Sequence, residues 1–147
     1  MMRKYPIILI IDDSKVFRSF CHDIIKKSVR LARICEAKDG VEGLKLYVKY
    51  RPDLILLDYV MPNLDGSKVL EYIRKNDKDT RVIMISAWKD DQTTINYLMK
   101  LGAFSFISKP MNRTILMKVV TDALHQGKIT SNSNRISKSV VLSEYYP

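Results

Sequence analysis

Two hydrophobic periods take turns along this chain. Pro6 to Ile11 is an unbroken apolar run, the pattern of a central strand buried on both faces, and it stops on Asp12. Ser14 stands where a helix cap belongs, ahead of a stretch whose Phe17, Phe20, Cys21, Ile24 and Ser28 share one helical face. Arg33 to Ala37 predicts a short second strand, and Asp39-Gly40-Val41-Glu42 has the form of a capping box opening a helix to about Tyr50. Leu54 to Asp58 is the third predicted strand, and the turn from Met61 to Gly66 leads into a helix carrying Val69, Leu70 and Ile73. Val82 to Ser86 follows as a fourth strand. A helix from about Asp91 to Leu101, closed by Gly102, separates it from a fifth strand, Phe104 to Ser108. Asn112 caps a last helix with Ile115, Leu116, Val119, Ala123 and Leu124 inward, stopped by Gly127.

Five alternations of strand and helix predict an α/β fold, a parallel sheet wrapped by helices. The 147 residues suffice for one such core, and the 46% hydrophobic, 28% charged composition is that of a soluble globular protein. The expected organisation is one folded domain over residues 1–127 and a flexible serine-rich tail over 128–147. The N-terminal apolar run is far short of the roughly 20 residues that span a bilayer, so neither a signal peptide nor membrane insertion is expected. Cys21 and Cys35 lack metal-type spacing and read as reduced core thiols of a cytoplasmic protein. The net charge of +9 raises the question of nucleic acid. The cations are scattered, however, and the one dense group, Lys26, Lys27, Arg30 and Arg33, sits where a helix C-terminus favours positive charge, so nucleic acid is not the expected partner.

The chemistry gathers at the strand ends. Asp12 and Asp13 close the first strand, Asp58 the third, Ser86 the fourth, and Lys109 follows the fifth. In an open parallel sheet, ligands collect at the carboxyl ends of the strands. Taken singly, Asp13 or Ser14 reads as a helix cap, Asp58 as a turn former and Lys109 as a surface lysine. Together they suggest a different inventory. Three crowded carboxylates call for a cation, and all-oxygen ligation suits Mg²⁺. Lys109 adds positive charge, the Ser86 hydroxyl can donate to a phosphoryl oxygen, and Asp58 can serve as the nucleophile of a phosphoryl transfer.

With the acidic pair Asp12-Asp13, the segment PDLILLDYVMPNLDG from Pro52 to Gly66, Ser86-Ala87 and Lys109-Pro110 in this order and at these separations, the chain resembles the receiver domain of two-component response regulators. Ala37 to Glu42 looks like that family's entry into its second helix. The resemblance covers residues 6 to about 126. It implies the flavodoxin-like fold of the chemotaxis regulator, five strands in the order 2-1-3-4-5 with five helices. It also implies that Asp58 accepts a phosphoryl group from a sensor histidine kinase or a histidine phosphotransfer protein. Asp13, Asp58 and the backbone carbonyl of Val60 would ligate Mg²⁺, with Asp12 acting mainly through metal-bound water. Lys109 would pair with Asp58 or its phosphate, Ser86 would follow the phosphoryl group, and Phe106 would be the switch aromatic. The Lys109-Pro110 bond would be cis.

Three positions depart from the common pattern. Phe106 lacks the hydroxyl of the tyrosine often found there, and Val60 and Trp88 put bulky apolar groups where a hydrolytic water would approach, which predicts slow dephosphorylation. The implied role is a signalling switch rather than an enzyme, acting on a downstream protein target, with homodimerisation through the fourth and fifth helices by family analogy. Two other readings use the same residues. One is the receiver part of a DNA-binding transcription regulator; the other is an Mg²⁺-dependent phosphohydrolase with an aspartyl nucleophile, disfavoured because no second acid flanks Asp58 and no cap insertion is present.

Overall fold

The computed structural model describes residues 5–87 and 91–125, and Trp88, Gly127 and the tail 128–147 lie outside the described residues. Ten elements alternate: β1 (Ile7–Ile11), α1 (Lys15–Ser28), β2 (Arg33–Ala37), α2 (Gly40–Tyr50), β3 (Leu54–Asp58), α3 (Gly66–Asn76), β4 (Arg81–Ala87), α4 (Gln92–Leu101), β5 (Ser105–Lys109) and α5 (Arg113–His125). The strands form one parallel sheet in the order β2-β1-β3-β4-β5. This is the flavodoxin-like receiver fold that the sequence led us to expect.

The period of two in the strands sorts their side chains to two faces. Ile8, Ile10, Leu54, Leu56, Ile83 and Ile85 join α1 and α5 in one core, while Leu9, Ile11, Ile55, Leu57, Val82 and Met84 join α2, α3 and α4 in the other. Each such buried aliphatic side chain contributes about 1.5–3 kcal/mol. The strand tips are therefore rigid mounts. Helix entries are held by short polar side chains: Ser14, Asp39, Asp65 and Asp91 cap α1 to α4, and Asn112 Oδ1 accepts from the Ile115 N–H. Gly102 closes α4 at φ 111°, a conformation that glycine adopts without strain.

Several details differ from the sequence-based expectation. β4 is longer at both ends, and β5 sits one residue later than predicted. Phe20 is exposed rather than inward; Ile25 is buried beside Ile24 in its place. Cys21 is fully buried, but Cys35 on the edge strand β2 is only half-buried. Among the described residues, no helix is long and apolar enough to cross a membrane.

Candidate functional site

The strand order reverses direction at β1, so the crevice beside the carboxyl ends of β1 and β3 is the topological switch point where such sheets bind ligands. Asp12 follows the last residue of β1 and is 1% exposed. Its Oδ1 accepts from the Ser14 N–H at 2.8 Å, its Oδ2 lies 2.7 Å from Lys109 Nζ, and its backbone carbonyl accepts from Arg18 Nη1 at 2.7 Å. Asp58 ends β3, buried at 6% exposure, while Asp13 is exposed. One carboxylate oxygen from each of Asp12, Asp13 and Asp58 lies within 4.8 Å of the others. Lys109 Nζ stands 3.8 Å from Asp58 Oδ1, so in this state the lysine makes its tight pair with Asp12 and its longer one with Asp58.

Electrostatics follow from that crowding. The Asp58 carboxyl is pushed up to about 7, by burial first and then by the neighbouring Asp12 charge, with Lys109 pulling against both and Asp13 adding to the rise. The Cys21 thiol beneath the site is pushed up to about 12, by burial first and then by Asp12, so it is a neutral packing group. Negative charge at Asp58 is under-compensated by protein groups alone. An all-oxygen trio with uncompensated charge fits a hard divalent cation such as Mg²⁺.

Ser86 is reached by register: β3 pairs Asp58 with Ile85, and β4 pairs Ser86 with Ser108 and Ala87 with Lys109. Its hydroxyl is buried with no hydrogen-bond partner among the described residues, one position along β4 from the residue paired with Asp58. Phe106 is packed inward from β5 at 2% exposure. Val60, on the β3–α3 loop, is 66% exposed. The Lys109-Pro110 bond is cis, as expected.

Three residues contribute in ways the sequence pattern does not show. Gly66 N–H donates to the Tyr59 carbonyl at 2.7 Å, folding the β3–α3 loop back on the strand tip, and a Cβ at Gly66 would stand 2.3 Å from the Asp58 carbonyl oxygen. Phe17 presents its ring 4.1 Å from Lys109 Nζ. Arg18 ties the Asp12 backbone to Glu36 of β2, its Nε 3.3 Å from Glu36 Oε1. Only contacts across several strands reveal the last two, whereas the turn chemistry around Gly66 was legible as a turn and not as a close approach.

Fold and site together define a small doubly wound α/β domain with an acidic pocket, compatible with Mg²⁺, at its switch point. A family model, the response regulator receiver domain, matches residues 8–121, and the chain belongs to that family. It is 31% identical over 117 residues to the chemotaxis protein CheY of Halobacterium salinarum, covering 80% of this chain and 95% of that one. With the probable C4-dicarboxylate response regulator DctR of Bacillus subtilis it shares 39% over 111 residues, covering 75% of this chain but 48% of the relative. Among solved structures, the receiver domain of the response regulator NarL from Mycobacterium tuberculosis superposes with a TM-score of 0.76 at 31% identity, covering 86% of this chain and all of that one.

Proposed function

We propose that this receiver is a phosphorylation-controlled switch in which Asp58 is the phosphoacceptor. The observation that carries the reading is the meeting of Asp12, Asp13, Asp58 and Lys109 at one strand-tip cluster, with Ser86, its hydroxyl unpartnered among the described residues, at the tip of the adjoining strand. An Asp58 carboxylate oxygen attacks the phosphorus of a phosphohistidine on a sensor kinase or phosphotransfer protein. The O–P bond forms as the N–P bond breaks, and the electron pair returns to the imidazole, which takes up a proton. Asp12, Asp13 and Asp58, with the Val60 carbonyl, would hold Mg²⁺, which would supply charge neutralisation to the phosphoryl oxygens. Lys109 gives up its longer contact with Asp58 and pairs with the phosphoryl group, and the Ser86 hydroxyl donates to a phosphoryl oxygen. Closure of Ser86 on the phosphate moves the β4 end, to which the Phe106 ring responds, and so alters the surface that a downstream protein reads.

The domain acts as a switch rather than an enzyme with an external product. One relative carries the name protein-glutamate methylesterase, but this chain covers only 32% of it. Transfer of a labelled phosphoryl group from a phosphohistidine protein tests the proposal: transfer requires Mg²⁺ and stops on chelation. Transfer that proceeds equally with a chelator present would contradict the metal role.

A second reading, the receiver part of a transcription regulator, is favoured by the similarity to DctR and to the probable transcriptional regulatory protein NarL of Mycobacterium tuberculosis, of which the chain covers 48% and 53%. It uses the same site chemistry and differs only in what the switched surface controls.

A further inference from the structure

The end of the sheet opposite Asp58, where strands begin and helices finish, has a different chemistry. On the α1–β2 side of that end, the connection between the two elements carries Leu31 at 64% exposure, a large aliphatic side chain left in water at a loop tip. Cations surround it. Arg30 precedes it, Lys27 projects from the last turn of α1, and Lys26 Nζ donates to the Ala32 carbonyl at 3.1 Å, which fixes an ammonium beside the loop. Arg33 opens β2 with its N–H on the Pro6 carbonyl at 2.9 Å, next to Tyr5, which is 41% exposed. The Arg33 guanidinium lies 4.5 Å from the Tyr50 ring centroid and Lys49 Nζ lies 5.1 Å from it, so the end of α2 continues the same face. None of Lys26, Lys27, Arg30, Arg33 or Lys49 has a carboxylate partner within 4 Å among the described residues. In the neighbouring α2–β3 connection, Asp53 accepts from the Ile7 N–H at 2.8 Å.

A helix dipole accounts for cations in a last turn, but it accounts neither for Arg30 in the loop and Arg33 at the start of β2 nor for an exposed leucine between them. We propose that this face, an apolar Leu31 tip ringed by Lys26, Lys27, Arg30 and Arg33 and bordered by tyrosines, docks on an anionic lipid bilayer. The cations meet lipid headgroups, Leu31 enters the acyl boundary, and Tyr5 and Tyr50 take the interfacial level that amphipathic rings favour. A nucleic-acid duplex would satisfy the cations and leave Leu31 in water, so the leucine decides between the two polyanions. Docking in this pose turns the Asp58 end away from the surface, open to a phosphodonor. The proposal is independent of the phosphoacceptor reading.

Flotation of the full chain with phosphatidylcholine vesicles, with and without phosphatidylserine, tests it, with duplex DNA in a parallel gel shift at the same salt. The full chain floats with phosphatidylserine vesicles only, and the bound fraction falls as salt rises. Each cation near an anionic leaflet contributes about fivefold to binding, so Lys27→Glu with Arg30→Glu lowers it about 25-fold or more. Leu31→Ser, which removes the apolar side chain and adds no charge, lowers vesicle binding and leaves any DNA shift unchanged. Lys27, Arg30 and Leu31 are exposed, so circular dichroism of these variants matches that of the parent. Flotation unchanged by Leu31→Ser and by the charge reversals, equal flotation with pure phosphatidylcholine, or DNA binding without flotation would each overturn the proposal.

Discussion

Ionised Asp58 is an unfavourable group in the folded, metal-free protein, because burial and the Asp12 charge oppose it more than Lys109 relieves it. Its carboxyl titrates near 7 when folded, against 3.8 ordinarily. Between those values the folded chain keeps a proton that the unfolded chain has released, so stability falls as pH rises through that window. Asp58→Asn removes the effect. Urea unfolding in chelator at neutral pH is expected to find the variant more stable than the parent by on the order of 1–3 kcal/mol, discounted for coupling to Asp12 and Lys109. The gain shrinks as pH falls toward 4. A variant that is less stable than the parent at neutral pH would mean that the site is not electrostatically crowded.

At the scale of elements, the β3 tip and the loop after it are one unit. Gly66 lets the α3 entry pass against the Asp58 carbonyl, with a would-be Cβ also 2.9 Å from Tyr59 Cα. Backbone on both sides leaves no room to yield. Gly66→Ala is therefore expected to destabilise by about 2–4 kcal/mol in urea unfolding and to slow phosphorylation by displacing Asp58. Wild-type values on both counts would refute the close approach. On the same loop, the exposed Val60 side chain stands two residues after Asp58, and Val60→Asn is expected to speed decay of the phosphorylated protein severalfold, as is Trp88→Glu. Unchanged lifetimes would discount apolar shielding of the phosphate.

Element by element, what was legible depended on the kind of signal. The strands could be read because their apolar runs are unbroken and end on charged residues, and the caps because Ser14, Asp39 and Asn112 are short acceptors before helical patterns. The helical pattern predicts Phe20 inward, but α1 turns its buried stripe through Cys21, Ile24 and Ile25, while Phe17 leans under Lys109. The tight Lys109–Asp12 pair joins residues 97 apart, and no local pattern encodes it.

Across the whole molecule, the two ends of the sheet divide the chemistry. Acids, lysine and hydroxyl collect where strands end, and the loop cations around Leu31 collect where they begin. The strand order made the first grouping legible in advance, since the order 2-1-3-4-5 puts β1, β3, β4 and β5 side by side. The second grouping was visible in the sequence as Lys26, Lys27, Arg30 and Arg33, but not the exposure of Leu31 between them. Because residues 5–125 contain the five-stranded sheet and the acid cluster, removal of residues 128–147 is expected to leave phosphorylation intact; a large loss of rate or of unfolding midpoint would assign the tail a structural role.

The central claim is that Asp58 is itself phosphorylated, and one measurement addresses it directly. The protein is incubated with Mg²⁺ and a small phosphodonor, and the product is examined for a covalent phosphoryl adduct. The account predicts an acid-stable, base-labile adduct on the parent chain that is absent from Asp58→Asn. An adduct that persists in Asp58→Asn, or a parent chain that takes a phosphoryl group from neither a small donor nor a cognate phosphohistidine protein, would contradict it.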